Sequence, residues 1–384
     1  MIGLIETIKK LQVSLITGVP DSMLAGLISS LEDSELSDFI EVAPNEGNAV
    51  ALAAGHYLGS GKPAIVYMQN SGLSNAINPL VSLAHKRMFG IPMILLVGWR
   101  GELSAKEIQV SDEPQHKIQG LITRKQLVDL GIPFYISGDN YQTFSEQLEK
   151  VYNESIELQS PVAILIRKGL FDSQDKKINN SKKLSSLEII EKIVELSPEN
   201  SILVGSTGMI GRELLKATQG KPEFNGRVIL NVGAMGHVSA LAKGIARTNP
   251  DKIVICFEGD GSLLMHLGSL ALLNNLPNFK HILLNNKSHD SVGGQKTTLA
   301  AKNHRKIYGG ISKKGYYKIE KLNYFSSKFI SMKLLKSENC FIEFLCAPRL
   351  IGTNKELINA ELPRPTRTPK QYGKSFREWI DSNS

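Results

Sequence analysis

The residue types best suited to chemistry lie at positions 257–286, where two apolar runs end in polar residues. The first run ends in Gly-Asp-Gly-Ser at 259–262, and the second ends in Asn-Asn at 285–286. Glycines let a backbone approach phosphate groups, and the oxygens of Asp and Asn are hard ligands that suit Mg²⁺. If both runs are parallel strands, their carboxyl ends meet at one edge of a sheet. The pattern predicts a site for a diphosphate bound through a divalent metal.

Two other interpretations of this segment stay open on residues alone. A dinucleotide-binding fingerprint would need a third glycine, and Leu264 stands at that position. The glycines and asparagines could also form ordinary turns between strands and helices. The paired asparagines at the next strand end favour the diphosphate site over both alternatives.

The elements that must position these residues alternate between short apolar runs and amphipathic stretches, which is typical of parallel α/β domains. A polar stretch rich in Lys and Ser interrupts this pattern once and is predicted to be a linker. We therefore expect two doubly wound parallel-sheet domains, at 1–168 and 187–362, with a linker at 169–186 and a tail at 363–384. Prolines at 363, 365 and 369 preclude a continuous helix at the start of the tail, so we expect it to wrap a surface or stay mobile. Strands are expected near 14–16, 39–42, 64–68, 93–97, 134–136 and 162–166, and then near 202–204, 228–232, 253–257, 281–284 and 341–345.

The length and composition of the chain exclude several classes of protein. At about 150 residues per domain, 384 residues favour two substantial units. The most apolar short stretch, 92–99, is far shorter than the roughly 20 residues that span a bilayer, and charges interrupt the amino-terminal segment, so we expect a cytoplasmic protein without a membrane partner. Three scattered cysteines indicate neither a disulfide framework nor a zinc site. A net charge of +8 is compatible with nucleic acid, but no nucleic-acid-binding motif accompanies it.

The spacing of the Gly-Asp-Gly and Asn-Asn motifs resembles that of thiamine diphosphate enzymes. In that family the Asp, the second Asn and a backbone carbonyl hold Mg²⁺ against the diphosphate of the cofactor. The resemblance implies that Asp260, Asn286 and the carbonyl of Ser288 bind Mg²⁺, and that Gly261 and Ser262 contact the cofactor. The segment between the two motifs is at the short end of the family's range.

The same resemblance implies a glutamate that bonds to the aminopyrimidine ring of the cofactor and promotes removal of its C2 proton. Glu46 fits this role, because it follows a predicted strand and opens an Ala-rich helix. An apolar setting that raises the pKa of Glu46 would serve this proton transfer. Without the family, Glu46 is simply a favourable charge in the first turn of a helix.

Two further segments resemble cofactor contacts of the family. In the sequence Gly-Ala-Met-Gly-His at 233–237, Gly233 would contact the aminopyrimidine and Met235 would hold the cofactor in its bent shape. A methionine taken alone is more often a core residue, but the position of Met235 between two glycines before a helix favours the cofactor contact. Thr207 and Gly208 follow the first predicted strand of the second domain, where the family also contacts the cofactor.

Longer strings narrow the resemblance to the phosphonopyruvate decarboxylase family, much of whose pattern sulfopyruvate decarboxylases share. The absence of room for a middle domain agrees with it, whereas the stretch 103–111 is longer than expected. The resemblance implies decarboxylation of a small anionic 2-keto acid, 3-phosphonopyruvate, to phosphonoacetaldehyde and CO₂ in phosphonate biosynthesis. A catalytically idle thiamine diphosphate-binding protein is the alternative from another class. The strings are TGVPDS (17–22), PNEGNAVALAAG (44–55), YMQNSGLSNAINPL (67–80), GWRGE (98–102), DEPQHKIQG (112–120) and NNKSHDSVGGQKT (285–297).

A substrate with two anionic groups needs cationic and hydrogen-bonding partners. Arg100, flanked by glycines after a predicted strand, is the candidate for the anionic head, although it could equally be a surface residue. Asp21 and Ser22 are candidates for substrate contact, and Ser22 could instead cap a helix. His116 and His289 are candidate catalytic proton donors because histidine titrates near neutral pH, with a structural role as the alternative.

In the family the cofactor spans two subunits, which implies a homo-oligomer, dimer or higher, with active sites at the subunit interface. The positive charge is regional: residues 301–336 contain ten Lys and Arg and one acid, Glu320. A solvated face and attraction of an anionic substrate are both compatible with this stretch.

Overall fold

The computed structural model of the chain describes residues 1–104, 106–171, 184–273, 276–298, 307, 316–336, 338–348, 362 and 364–383. The chain divides into two compact units, Met1–Asp175 and Lys176–Ser384. Most of the predicted linker and more than a third of the basic stretch 301–336 lie outside the described residues.

The first unit is a six-stranded sheet in which every strand pairs in parallel, in the order β2-β1-β3-β4-β6-β5. Helices connect the strands, as parallel pairing requires. The strands are β1 (Ile16–Gly18), β2 (Ile40–Val42), β3 (Ala64–Gln69), β4 (Met93–Gly98), β5 (Phe134–Ile136) and β6 (Pro161–Ile166). The α-helices are α1 (Ile2–Lys10), α2 (Ala25–Glu32), α3 (Glu46–Ser60), α4 (Leu73–Pro79), α5 (Pro114–Asp129) and α6 (Tyr141–Leu158).

The central strands of this sheet are apolar along their whole length because helices cover both faces. Along β3, Val66 packs into one buried cluster, and Ile65 and Tyr67 pack into the other. This alternation follows from the two-residue period of a strand and places a core on each side of the sheet. The unit is therefore doubly wound, as its sequence pattern predicts.

The second unit repeats this design, with a parallel sheet in the order β11-β12-β10-β9-β7-β8. The strands are β7 (Ser201–Gly205), β8 (Val228–Leu230), β9 (Ile253–Gly259), β10 (Phe279–Asn285), β11 (Tyr316–Ile319) and β12 (Cys340–Leu345). Described α-helices are α7 (Ser186–Leu196), α8 (Met209–Thr218), α9 (Val238–Thr248), α10 (Asp260–Met265), α11 (Tyr324–Leu335) and α12 (Pro369–Ser382).

The predicted fold class is confirmed, and the expected strands are present with small shifts of their ends. The strand β1 is displaced at both ends, since it runs from Ile16 to Gly18 rather than from residue 14 to 16. The sequence analysis missed β11, because lysines surround it in the basic stretch and obscure its apolar pattern. As the edge strand of its sheet, β11 is only partly buried, so its pattern is weak.

The predicted tail contains a helix, α12, that packs against β8. The helix begins at Pro369, a position where the missing N–H of proline costs nothing, and the side chain of Thr368 caps it. Among the described residues, no helix is both long and apolar enough to cross a membrane.

Candidate active site

Glu46 is the first residue of α3, separated by three residues from the end of β2 at Val42. The helix begins here because the side chain of Asn45 accepts a hydrogen bond from the backbone N–H of Asn48 at 2.8 Å. The sequence Pro-Asn-Glu-Gly therefore places the Glu46 side chain at the carboxyl edge of the sheet. Only 5% of Glu46 is exposed, which is unusual for a carboxylate at a helix start.

The surroundings of Glu46 favour its protonated form. Burial raises the pKa of Glu46, and a hydrogen bond from Asn75 Nδ2 to Oε2, at 3.0 Å, opposes this only in part. A Cβ atom on Gly72 would lie 2.5 Å from Glu46 Oε1, so only glycine leaves room for the carboxyl group. A carboxyl group with a raised pKa in an enclosed site is suited to proton transfer near neutral pH.

Asp21 lies beyond β1 at the same edge and is 1% exposed. Its Oδ1 accepts a hydrogen bond from Gln69 Nε2 at 2.8 Å, and burial raises its pKa despite this bond. A Cβ atom on Gly98 would lie 1.9 Å from Asp21 Oδ2, so the end of β4 must be glycine. Ser22 is exposed beside it and does not cap the following helix, whose N-cap position is Leu24.

Arg100, just after β4, is engaged within the protein. Its Nε and Nη2 donate to the two carboxylate oxygens of Asp112 at 2.8 and 2.6 Å, and the Gly101 N–H also donates to Asp112. Burial alone would raise the pKa of Asp112, but the bonds from Arg100 and the backbone outweigh it and hold that pKa well below the usual range. The guanidinium that we expect to meet an anionic head is thus already paired with one carboxylate.

We expect Asp112→Asn to lower the free energy of unfolding by about 2 kcal/mol at pH 7, because it weakens hydrogen bonds to a charged group. The Asp112 pKa is depressed in the folded state, so its stabilisation is present above the unfolded value of about 3.9 and is lost as the pH falls through the folded value. Urea unfolding at pH 7 and pH 3 should show the difference from wild type shrinking at the lower pH, which lies below the unfolded value and above the folded one. Asp129→Asn, which removes the exposed partner of Lys125, should change little at either pH. An equal cost for both variants would contradict this account.

His116 lies in the first turn of α5, which packs against the loop that contains Arg100. Its Nε2 is 3.8 Å from Glu113 Oε2. A Cβ atom on Gly101 would lie 2.1 Å from the His116 carbonyl oxygen, which shows how closely the loop after β4 packs on α5. The first unit thereby brings Asp21, Arg100 and His116 to one edge of its sheet.

In the second unit, Asp260 follows β9 and is 1% exposed. Its Oδ2 accepts a hydrogen bond from Thr297 Oγ1 at 2.8 Å. Gly259 pairs with Leu284 in the neighbouring strand, so Asp260 and Asn286 leave adjacent strands at the same edge. This is the juxtaposition that the two motifs predict.

Asn286 and Ser288 form a tight turn after β10. Asn286 Oδ1 accepts from the Ser288 N–H at 3.0 Å, and its Nδ2 donates to Asp290 at 2.6 Å. Lys287 between them has a φ of 61°, a left-handed conformation that a lysine rarely adopts. The turn leads into a short antiparallel bridge between Ser288 and Lys296, which brings Thr297 back to Asp260.

The donor set at this edge suits a hard cation. Asp260 supplies a carboxylate, Asn286 an amide oxygen and Ser288 a carbonyl oxygen, which are the ligand types that Mg²⁺ accepts. The described residues contain no group of three His, Cys, Asp or Glu side chains that could hold a metal by themselves. A metal here would therefore share its coordination with amide and carbonyl oxygens, water or phosphate.

His289 is 8% exposed and lies against the Gly-Asp-Gly turn, where a Cβ atom on Gly261 would come 2.8 Å from its ring. Burial lowers the pKa of His289 to about 4, so the ring is uncharged at neutral pH. Its role as a proton donor stays a prediction, and it would require a ligand that favours the charged ring.

The remaining predicted cofactor contacts surround the same edge of the second unit. Thr207 follows β7 and donates through Oγ1 to the Val232 carbonyl oxygen at 2.5 Å, which ties it to the segment before Gly233. Gly208 has a φ of 82° and faces Ser291, in the loop after β10. Met235 is half-buried, and Gly233 is exposed.

The sequence analysis missed several residues that hold these side chains in place. Asn75 and Gln69 both lie within YMQNSGLSNAINPL, after a predicted strand, and this position was the signal that could have found them. Asp112 opens DEPQHKIQG, and Thr297 closes NNKSHDSVGGQKT. None of these partners is close in sequence to the residue it holds.

Both units of the chain resemble known protein domains. Residues 3–127 match the thiamine pyrophosphate enzyme N-terminal TPP binding domain, and residues 204–321 match the C-terminal TPP binding domain. The chain is 31% identical to the phosphonopyruvate decarboxylase of Streptomyces viridochromogenes over 78% of each chain. It is 30% identical to that of Streptomyces hygroscopicus over 76% of this chain and 74% of the other. It is 25% identical to the sulfopyruvate decarboxylase of Methanosarcina acetivorans over 98% of this chain and 96% of that protein. The chain therefore belongs to the phosphonopyruvate decarboxylase family of thiamine pyrophosphate enzymes.

Proposed function

We propose that this protein decarboxylates 3-phosphonopyruvate to phosphonoacetaldehyde and CO₂, with thiamine diphosphate and Mg²⁺ as cofactors. The observation that carries the proposal is the enclosed Glu46 carboxyl group, whose pKa burial raises. A carboxylate that only stabilises a helix start would do so best when it is exposed and ionised. A carboxyl group that transfers a proton needs a raised pKa, which burial supplies. The relatives at about 30% identity support the choice of substrate.

Thiamine diphosphate, when bound, supplies a cationic ring that accepts the electron pair released as CO₂ leaves. Glu46 would hold a proton at one carboxyl oxygen, while Asn75 fixes the other oxygen. Asp260, Asn286 and the Ser288 carbonyl would hold Mg²⁺, and the backbone of Gly261 and Ser262 would approach the diphosphate. Gly233, Met235, Thr207 and Gly208 would contact the rest of the cofactor.

On the substrate side, the edge of the first unit offers groups that orient an anion. Arg100 would meet the phosphonate beside Asp112, so that the guanidinium is held rigidly at the cost of part of its net charge. Asp21, with a raised pKa, and the exposed Ser22 would donate hydrogen bonds to the keto acid. Either His116 or His289 would supply the proton that replaces CO₂ in the product.

A homo-oligomer with active sites at its subunit interface is part of the proposal. Its support is the number of large apolar side chains exposed on two helices of the first unit: Leu52 and Leu58 on α3, and Ile118 and Leu121 on α5. An interface that covers these helices would remove this apolar surface from water. The cytoplasmic location stays a prediction.

The test is a substrate panel with purified protein, thiamine diphosphate and Mg²⁺. We expect CO₂ release and an equal amount of aldehyde from 3-phosphonopyruvate, with a higher kcat/KM than for sulfopyruvate or pyruvate. A preference for sulfopyruvate would replace the substrate but keep the chemistry, and the coverage of the Methanosarcina acetivorans relative makes this the second candidate. Turnover of none of them, with cofactor binding intact, would indicate an idle thiamine diphosphate-binding protein.

A further inference from the structure

A chain of buried hydrogen bonds runs through the second unit beneath the predicted cofactor contacts. His281 Nε2 on β10 lies 3.0 Å from Glu258 Oε2 on β9. Glu258 Oε1 accepts a hydrogen bond from Ser262 Oγ at 2.8 Å, and Ser262 Oγ accepts one from the Gly236 N–H at 3.2 Å. These hydrogen bonds connect two strands of the sheet to the backbone of the loop 233–237.

The side chains that make these hydrogen bonds are almost completely removed from solvent. His281 is 1% exposed, Glu258 0% and Ser262 7%. His281 packs edge-on against the ring of Phe341, with 4.6 Å between ring centroids. Glu258 is on the same face of β9 as Cys256, which belongs to the apolar cluster under α9. A buried carboxylate in such a setting is expensive unless its oxygens are bonded, so the three side chains hold one another in place.

The loop 233–237, at the end of this series of hydrogen bonds, has little conformational freedom. Gly236 has a φ of 83°, and a Cβ atom there would lie 2.6 Å from the His266 ring and 2.9 Å from Met265 Cβ. The hydrogen bond from Gly236 N–H to Ser262 is therefore made at a residue that packs tightly against the end of α10. Met235 immediately precedes that residue.

The hydrogen bonds of the Ser262 hydroxyl also decide which part of this residue can contact a ligand. Its hydroxyl both donates to Glu258 and accepts from Gly236, so its bonds lie within the protein. The contact with a diphosphate that we propose for Ser262 then belongs to its backbone. The serine side chain links the turn that would bind the diphosphate to the loop that carries Met235.

We propose that Glu258, His281 and Ser262 are positioning residues, which set the place of Met235 and the loop 233–237 relative to the diphosphate-binding turn. The expected effect on cofactor binding rests on the proposed function. The expected effect on the order of the loop 233–237 does not, because it concerns the protein without cofactor. The bent cofactor would need the two segments at one fixed separation, and the buried chain supplies a rigid spacer. The spacer acts through the backbone, so no proton has to move along it.

The test compares Ser262→Ala, Glu258→Met and Glu258→Gln. The alanine removes the link to the loop, and the methionine fills the space of Glu258 without its oxygens. The glutamine retains both contacts, because its oxygen can accept from Ser262 and its amide can donate to a neutral His281. We expect roughly tenfold faster hydrogen–deuterium exchange in the peptide that contains the Gly236 amide for the first two variants without cofactor, and about tenfold weaker binding of thiamine diphosphate with Mg²⁺ by calorimetry. Glu258→Gln should restore both to within about threefold of wild type.

Ser155→Ala is the matched control, since it removes a buried hydroxyl that donates one hydrogen bond, to the Tyr152 carbonyl oxygen, in the first unit. It should lower the melting temperature by a similar amount and change neither readout. Unchanged exchange at Gly236 in Ser262→Ala, or equal cofactor affinity in Ser262→Ala and Ser155→Ala, would overturn the inference. Failure of the wild-type protein to bind thiamine diphosphate would instead refute the proposed function and leave the exchange result standing.

Discussion

Replacing Glu46 with glutamine should lower kcat by about 10²–10⁴-fold while thiamine diphosphate still binds, because the change removes only the group that carries the proton. Gln has nearly the shape of Glu, so the space left by Gly72 and the hydrogen bond from Asn75 are retained. The measurement is steady-state turnover of 3-phosphonopyruvate together with calorimetric titration of the cofactor. Glu41→Gln, at an exposed glutamate of β2, serves as the control and should be fully active.

The same variant should be more stable than wild type at neutral pH, which separates a catalytic Glu46 from a structural one. Burial raises the pKa of Glu46 in the folded state, so the ionised form costs free energy on folding. This cost appears as the pH rises above the unfolded value of about 4.3 and is complete above the folded value. The gain in stability of Glu46→Gln should therefore grow between pH 4.5 and pH 7 in urea unfolding. Turnover within threefold of wild type, or a loss of stability at pH 7, would count against the assignment.

Asp260→Asn should have the second large effect, which falls on cofactor binding. The asparagine can still accept the hydrogen bond from Thr297, so the turn should keep its shape. It lacks the negative charge that Mg²⁺ requires, and we expect affinity for thiamine diphosphate with Mg²⁺ to fall by ~100-fold or more, since even changes to partners of metal ligands cost ~10–100-fold.

Thermal unfolding provides the readout for this variant. A cofactor present at 100 times its Kd stabilises the wild-type protein by about 2.7 kcal/mol, and a 100-fold loss of affinity removes most of that gain. We expect the melting temperature without cofactor to stay near that of wild type, and the rise on adding cofactor and Mg²⁺ to fall to a small fraction of the wild-type rise. Asp251→Asn, at an exposed aspartate just before β9, should retain the full rise. A full rise in Asp260→Asn would exclude Asp260 as the metal ligand.

The fold class, most strand positions and the candidate residues at the strand ends could be predicted from the amino-acid sequence alone. These are local properties: a short apolar run rich in β-branched residues and bounded by turn residues favours a strand, and the Gly-Asp-Gly turn follows from its own residue types. The family resemblance then connected Glu46 with the second-domain motifs, which no local rule could do. The prediction weakened where charge obscured the pattern, as in β11.

Only the tertiary structure decided which partner each of these residues has. Asn75 reaches Glu46 from 29 residues away, and Glu258 meets His281 across two strands. Such contacts depend on strand order and on helix packing, because parallel strands join only through crossovers that bring distant residues together. Burial was decided in the same way. The raised pKa of Glu46 and the pairing of Arg100 with Asp112 follow from what packs around them, and residue type alone could not have set either.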